Sequence, residues 1–159
     1  MSKSVGNSLP ADLIQLLDGH DLAAGEGLTI LLLTTSEDGW PQVAMLSVGE
    51  VLAISPLRLR LALWPGSGST ANLRRNGQAT LMLVTAAGAF YMRVRSRRLA
   101  DLALSRGPRA AFEVEVEEVL VDLVAYAAIS SGIQFELTDR ENVLTSWEEA
   151  VTALRDIGP

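Results

Sequence analysis

The sequence contains no cysteine, a single histidine, His20, and a single lysine, Lys3, beside twelve arginines. Disulfides, thiolate chemistry and zinc–thiolate sites are therefore excluded. His20 sits in a Gly/Asp-rich stretch, residues 19–27, with no GxSxG segment to pair with it, so it reads as a solvated loop residue and not as a triad member. HExxH, EF-hand and Walker sequences are absent as well. No uninterrupted apolar run approaches ~18 residues, and the opening MSKSVGNSLP has no apolar signal segment, which argues for a cytoplasmic protein with no membrane partner. Basic charge is also short: 13 basic against 19 acidic side chains leave a net charge of -6, which argues against non-specific nucleic-acid binding.

What is abundant is apolar surface. The 159 residues are 48% hydrophobic and 20% charged, with a mean hydropathy of +0.25. That length suits one domain, 1–159, with a real core, and the apolar excess predicts burial against a second copy in a homodimer.

Along the chain, Ser8, Pro10 and the spacing of Leu13, Ile14 and Leu17 predict a short amphipathic helix ending by Gly19. Leu28–Thr35 and Gln42–Val48 read as a hairpin about Ser36-Glu37-Asp38-Gly39, with Pro41 opening the return strand. Gly49–Leu57 has no clean period. Arg58–Trp64, Ala79–Val84, Phe90–Leu99 and Ala111–Glu117 are further strands, the last two placing Arg93, Arg95 and Arg97 opposite Glu113, Glu115 and Glu117. Glu118–Ala128 changes to a helical period, Ile133–Leu137 returns to a strand, and the end is an amphipathic helix through Trp147, capped at Thr145 or Ser146. Six strands with few, short helices predict a mainly β fold, a small antiparallel barrel with peripheral helices.

One stretch stands apart: Leu61–Asn76, LALWPGSGSTANLRRN. A strand ends at Trp64, five small residues follow Pro65, and a short helix carrying Arg74 and Arg75 closes at Gly77. Backbone N–H groups and the hydroxyls of Ser67, Ser69 and Thr70 at such a corner can surround an anion, with Arg58 and Arg60 or Arg74 and Arg75 completing a phosphate site. The same glycines and serines also suffice for an ordinary turn. The denser cluster Arg93, Arg95, Arg97 and Arg98, headed by Tyr91, reads either as a second phosphate surface or as a wet face paired with the glutamates.

The order from Leu28 to Val84 resembles the FMN-binding split-barrel family that contains pyridoxamine 5'-phosphate oxidase. The resemblance rests on the hairpin with Asp38-Gly39-Trp40-Pro41, the strand ending at Trp64, and Ser69-Thr70-Ala71-Asn72-Leu73-Arg74-Arg75-Asn76-Gly77. It implies a six-stranded antiparallel split barrel and a homodimer holding FMN in a cleft at the subunit interface. Ser67, Ser69, Thr70, Arg74 and Arg75 would then lie at the phosphate, Ala44, Met45, Leu46 and Ser47 beside the flavin ring, and Trp64 next to the pocket. The oxidase has an arginine on the second strand and a lysine in the serine segment, where this chain has Val43-Ala44 and Ser67-Gly68-Ser69-Thr70. Pyridoxamine phosphate oxidation is therefore not implied. The expected function is FMN binding with flavin-dependent oxidoreductase chemistry on an unassigned substrate, a nicotinamide being a possible hydride donor and no catalytic side chain being assigned. The alternatives are a split barrel that has lost flavin and binds a small ligand or protein, and a module whose C-terminal helix around Trp147 docks a partner.

Overall fold

The computed structural model describes residues 1–159. In chain order it contains β1 (Lys3–Ser4), α1 (Ala11–Leu17), β2 (Ile30–Thr35), β3 (Pro41–Leu46), β4 (Val51–Ser55), β5 (Arg58–Leu63), α2 (Gly68–Asn76), β6 (Gln78–Thr85), β7 (Gly88–Arg98), β8 (Ala110–Asp122) and α3 (Arg140–Asp156). The strands form one antiparallel sheet in the order β3-β2-β6-β7-β8-β5-β4, with β1 added to β8. The sheet curls into a half-barrel whose inner side is filled by Ile30, Leu32, Leu81, Leu83, Met92, Phe112 and Val114, all essentially inaccessible. α2 packs against β2, β3 and β7, whereas α1 and α3 cover β4 and α3 also covers β5. No helix is long and apolar enough to cross a membrane.

The alternation in Phe90–Leu99 holds: Phe90, Met92 and Val94 are buried, and the arginines face out. Opposite them lie glutamates, as Arg93 pairs with Glu118 (2.8 Å), Arg95 with Glu117 (2.6 Å) and Arg97 with Glu113 (2.7 Å). The basic cluster is thus the wet, glutamate-paired face. Arg98 leaves this ladder, stacking 5.1 Å over the Phe112 ring and donating to the Leu99 and Ala111 carbonyls.

Four expectations are corrected. The aperiodic 49–57 stretch contains a real strand, β4, which is buried at Val51, Leu52 and Ala53 because α1 and α3 lie on it. The sheet therefore has seven main strands and the short β1, in place of six. Residues 118–128 are not a helix. β8 continues to Asp122, and a bulge shifts its register against β7 at Arg93/Val94, so that the inward positions run Val116, Val119 and Val121 while Leu120 joins the outer face, and the resulting apolar run imitates a helical period. Ile133–Leu137 makes only an isolated bridge, Gln134 to Leu28. Finally, α3 begins at Arg140, ahead of Thr145 and Ser146, and the Thr145 hydroxyl donates back to the Glu141 carbonyl instead of capping.

α3 buries Trp147, Ala150, Val151 and Leu154, each large side chain worth about 1.5–3 kcal/mol. The Trp147 ring meets Phe135 edge-to-face at 6.5 Å and lies over Gly49, where a Cβ would come within 2.1 Å of the indole. The apolar stripe of this helix is thereby spent on β4 and β5, which removes Trp147 as a partner-docking face. At the other end of α3, buried Arg60 donates to the carbonyls of Leu154 (2.7 Å) and Ile157 (2.8 Å) and to Glu113 (3.1 Å). Arg60 is a helix cap and belongs to no phosphate site, and Arg58 leans on the same Glu113 at 3.8 Å.

Candidate functional site

The corner begins where β5 ends. The Trp64 carbonyl accepts from the Ser67 N–H (3.1 Å) and from the Thr70 hydroxyl (2.8 Å), folding residues 64–67 into a tight turn. Ser67 is the N-cap of α2: its backbone is extended and its Oγ accepts from the Thr70 N–H at 3.2 Å. At the far end, Gly77 at φ +68° closes the helix in the left-handed conformation and donates to the Leu73 carbonyl. Of the first-turn donors, the N–H groups of Gly68 and Ser69 have no acceptor in the chain, and no acidic residue occupies that turn. Two aligned donors at the positive end of a nine-residue helix, free of carboxylate, are an arrangement that could receive an anion.

Ser67, Ser69 and Thr70 are brought together here, although the Ser67 and Thr70 hydroxyls serve the turn itself. Arg74 and Arg75 are in the last turn, roughly 10 Å along the axis from the cap. Arg75 is tied to Asn72 Oδ1 (3.2 Å) and to the Thr35 carbonyl, while Arg74 is exposed with no partner. On β3, Ala44 and Leu46 face the core side and only Met45 faces outward, 58% exposed. Ser47 follows the strand and turns both its N–H (2.8 Å) and its hydroxyl (2.9 Å) onto Glu50 Oε2. Trp64 is half-exposed and faces away from the α2 turn, with the Arg109 guanidinium stacked 3.3 Å over its ring.

Gln42 was not legible as a site residue. Its amide lies against Gly68, where a Cβ would fall 2.2 Å from Nε2, and Asn72 Nδ2 donates to Gln42 Oε1 (3.1 Å) and to Thr34 Oγ1 (3.0 Å). The signal in the sequence is a polar pair, Thr34 and Gln42, in the inward phase of a hairpin, which calls for a third polar partner such as a mid-helix Asn. The outer face of the sheet carries a registered row, Met45–Leu31–Met82–Tyr91–Leu120, flanked by Val43, 55% exposed.

Over 149 residues the chain is 33% identical to the uncharacterized protein YclD of Bacillus subtilis (strain 168), spanning 94% of this chain and 97% of that protein. The chain belongs to the YclD family. No family model matches the sequence. Among solved structures, a candidate pyridoxamine 5'-phosphate oxidase from Lactobacillus delbrueckii matches at 18% identity with a TM-score of 0.58, over 74% of this chain and 98% of that one. A Clostridium acetobutylicum protein related to general stress protein 26, of the pyridoxinephosphate oxidase family, matches at 13% identity and a TM-score of 0.51, over 77% and 94%. This YclD relative therefore has the fold of the pyridoxamine 5'-phosphate oxidase-like, FMN-binding split barrels.

Proposed function

We propose that the protein is a homodimeric FMN-binding split barrel acting as a flavin-dependent oxidoreductase. The observation that carries this reading is the carboxylate-free first turn of α2, with free Gly68 and Ser69 N–H groups, seated beside the edge strand β3 of a split barrel. The donor set suits a phosphate held by neutral groups. Gly68 and Ser69 would hold it and Gln42 would fix the position of the turn, while Arg74, unpaired at the far end of the same helix, lies too far along the axis to touch it. The outward row around Met45 and Leu31 supplies apolar surface for the flavin ring and for a second subunit, in keeping with the apolar excess of the chain. Bound FMN would supply hydride chemistry, for which a nicotinamide is a suitable donor, and the protein would contribute orientation and exclusion of water.

The test is titration of the purified protein with FMN, read by flavin absorbance and fluorescence, alongside Ser67→Asp. An aspartate keeps the N-cap of α2 but puts a carboxylate where the phosphate would sit, and the expected result is at least a tenfold loss of FMN affinity with little change in melting temperature. A wild-type protein that leaves FMN fluorescence unaltered would refute the flavin reading and favour a split barrel that binds another ligand. Sedimentation of a Met45→Glu variant checks the dimer, which should dissociate if the outward row is the interface.

A further inference from the structure

A second cleft, of about 450 Å³, opens on the other side of Trp64, between the end of β5, the loop 104–109 and α3. Its volume is that of an ordinary small-molecule site. One wall is apolar, made by Leu104, Val143, Trp147 and Ala150. The rest carries one carboxylate, Glu50, and two arginines, Arg106 and Arg109, with no ion pair between them; Arg109 is the one held in a fixed position.

Glu50 lies in the turn after β3. Both hydrogen bonds it receives, from the Ser47 N–H and hydroxyl, fall on Oε2, and Oε1 has no partner in the chain. Burial pushes its carboxyl above the usual range, against the opposing pull of the Ser47 bonds and the charge of Arg109. Glu50 is half-buried at the cleft wall, and a partly desolvated carboxylate without a contacting cation is a favourable seat for a ligand cation.

Arg109 is held in place from two sides. Its guanidinium lies flat on Trp64 at 3.3 Å, and Nη1 donates to the carbonyls of Gly107 (3.0 Å) and Pro108 (3.1 Å). Nε and Nη2 have no acceptor in the chain, so part of the fork remains open to an oxyanion. Its neighbour Glu149 is already committed to Ser105, through the N–H at 2.8 Å and the hydroxyl at 2.6 Å.

We infer that this cleft binds a small zwitterion, an α-amino acid with an apolar side chain, its ammonium on Glu50, its carboxylate on Arg109 and its side chain on the Leu104–Trp147 wall. A simple carboxylic acid would leave Glu50 without a cation, and a simple amine would leave Arg109 without an anion. A molecule carrying both, next to an apolar group, satisfies all three parts of the cleft. The flavin corner is not involved, so the two readings stand or fall separately.

The experiment is titration of the wild-type protein with L-leucine, L-methionine and L-phenylalanine, followed by calorimetry and by the emission of Trp64 and Trp147. The comparison compounds are N-acetyl-L-leucine, which lacks the ammonium, and L-leucinamide, which lacks the carboxylate. Saturable binding of at least one amino acid is expected, with each leucine derivative weakened at least tenfold relative to L-leucine. Glu50→Gln should cost at least tenfold in affinity. Absence of saturable binding by all three amino acids up to about 10 mM would overturn the inference. Equal binding of either blocked derivative, or unchanged affinity in a folded Glu50→Gln protein, would do the same. If Glu50→Gln does not fold, the derivative series on the unaltered protein still decides.

Discussion

Replacing Arg60 by methionine should be among the most damaging single changes to this fold, even though the methionine preserves an unbranched apolar stem. The Arg60 side chain is 9% exposed and carries two sets of bonds. Nη1 holds the carbonyls of Leu154, Arg155 and Ile157 at 2.7, 3.4 and 2.8 Å, and Nε holds Glu113 at 3.1 Å. Removing one partner of a buried ion pair costs about 3–5 kcal/mol, because the other charge is left behind. Glu113 keeps Arg97 at 2.7 Å, which places the loss toward the lower end of that range. The freed carbonyls end a helix near solvent and can turn to water, so they add little beyond it. About 3–4 kcal/mol is a large share of a domain's 5–15 kcal/mol. At about 2–4 °C per kcal/mol for a chain of this length, melting should fall by roughly 6–16 °C.

The internal control is Arg58→Met. Arg58 touches the same carboxylate at 3.8 Å from a side chain 58% exposed, and its loss should cost less than about 1 kcal/mol. Urea unfolding followed by Trp147 emission and far-UV dichroism measures both variants. If Arg60→Met loses less than about 1 kcal/mol with an unchanged urea slope, the carbonyls and the carboxylate are as well satisfied without the guanidinium, and the capping argument fails.

Two further outcomes are expected. Burial raises the affinity of the Glu113 carboxyl for a proton, but the hydrogen bonds and charges of Arg97 and Arg60 outweigh it and hold the group below the usual carboxylate range. The unfolded chain then binds more protons than the native one in acid. The contribution is complete above the ordinary carboxylate value of about 4 and is lost as the pH falls through the lower native value, so unfolding free energy measured against pH should lose slope there in Glu113→Gln. Gly49→Ala would put a methyl 2.1 Å from the Trp147 indole, and shifting α3 to admit it should cost about 1–3 kcal/mol, seen as a lower melting temperature and a red-shifted Trp147 emission. Trp147→Leu in the same chain should recover part of that loss, and no recovery would mean that the clash is relieved elsewhere.

The parts of the fold that could be read from the sequence are those governed by local period. Phe90–Leu99 shows its buried and charged faces directly, and Gly77 ends α2 because a left-handed residue was needed there. The misread segments are those where tertiary pairing overrides the local pattern. Leu120 and Val121 look helical because a bulge interrupts the strand alternation before them, and only pairing with β7 and β1 shows that the strand goes on. Gly49–Leu57 has no period because β4 is covered by helices on one side and by the barrel interior on the other. The zwitterion cleft draws Glu50 from a turn, Trp64 from a strand end, Arg109 from a loop and Trp147 from a helix. No linear motif can announce such a set.

The stretch from Leu61 to Asn76 reads as one anion corner in sequence, and the structure divides its labour. Ser67, Gly68 and Ser69 make the start of α2, Arg74 and Arg75 lie at the opposite end of the helix, and the Trp64 ring faces the second cleft. The division follows from strand geometry. Arg60, Ala62 and Trp64 alternate onto the α3 side of β5, so one capping arginine, one small residue lining the cleft and one aromatic platform for Arg109 come from the same face. The Trp64 carbonyl, meanwhile, accepts from the Ser67 N–H and the Thr70 hydroxyl. Residue 64 is therefore held through its backbone by the α2 corner and through its side chain by Arg109, and the turn that starts α2 also sets the platform of the neighbouring cleft.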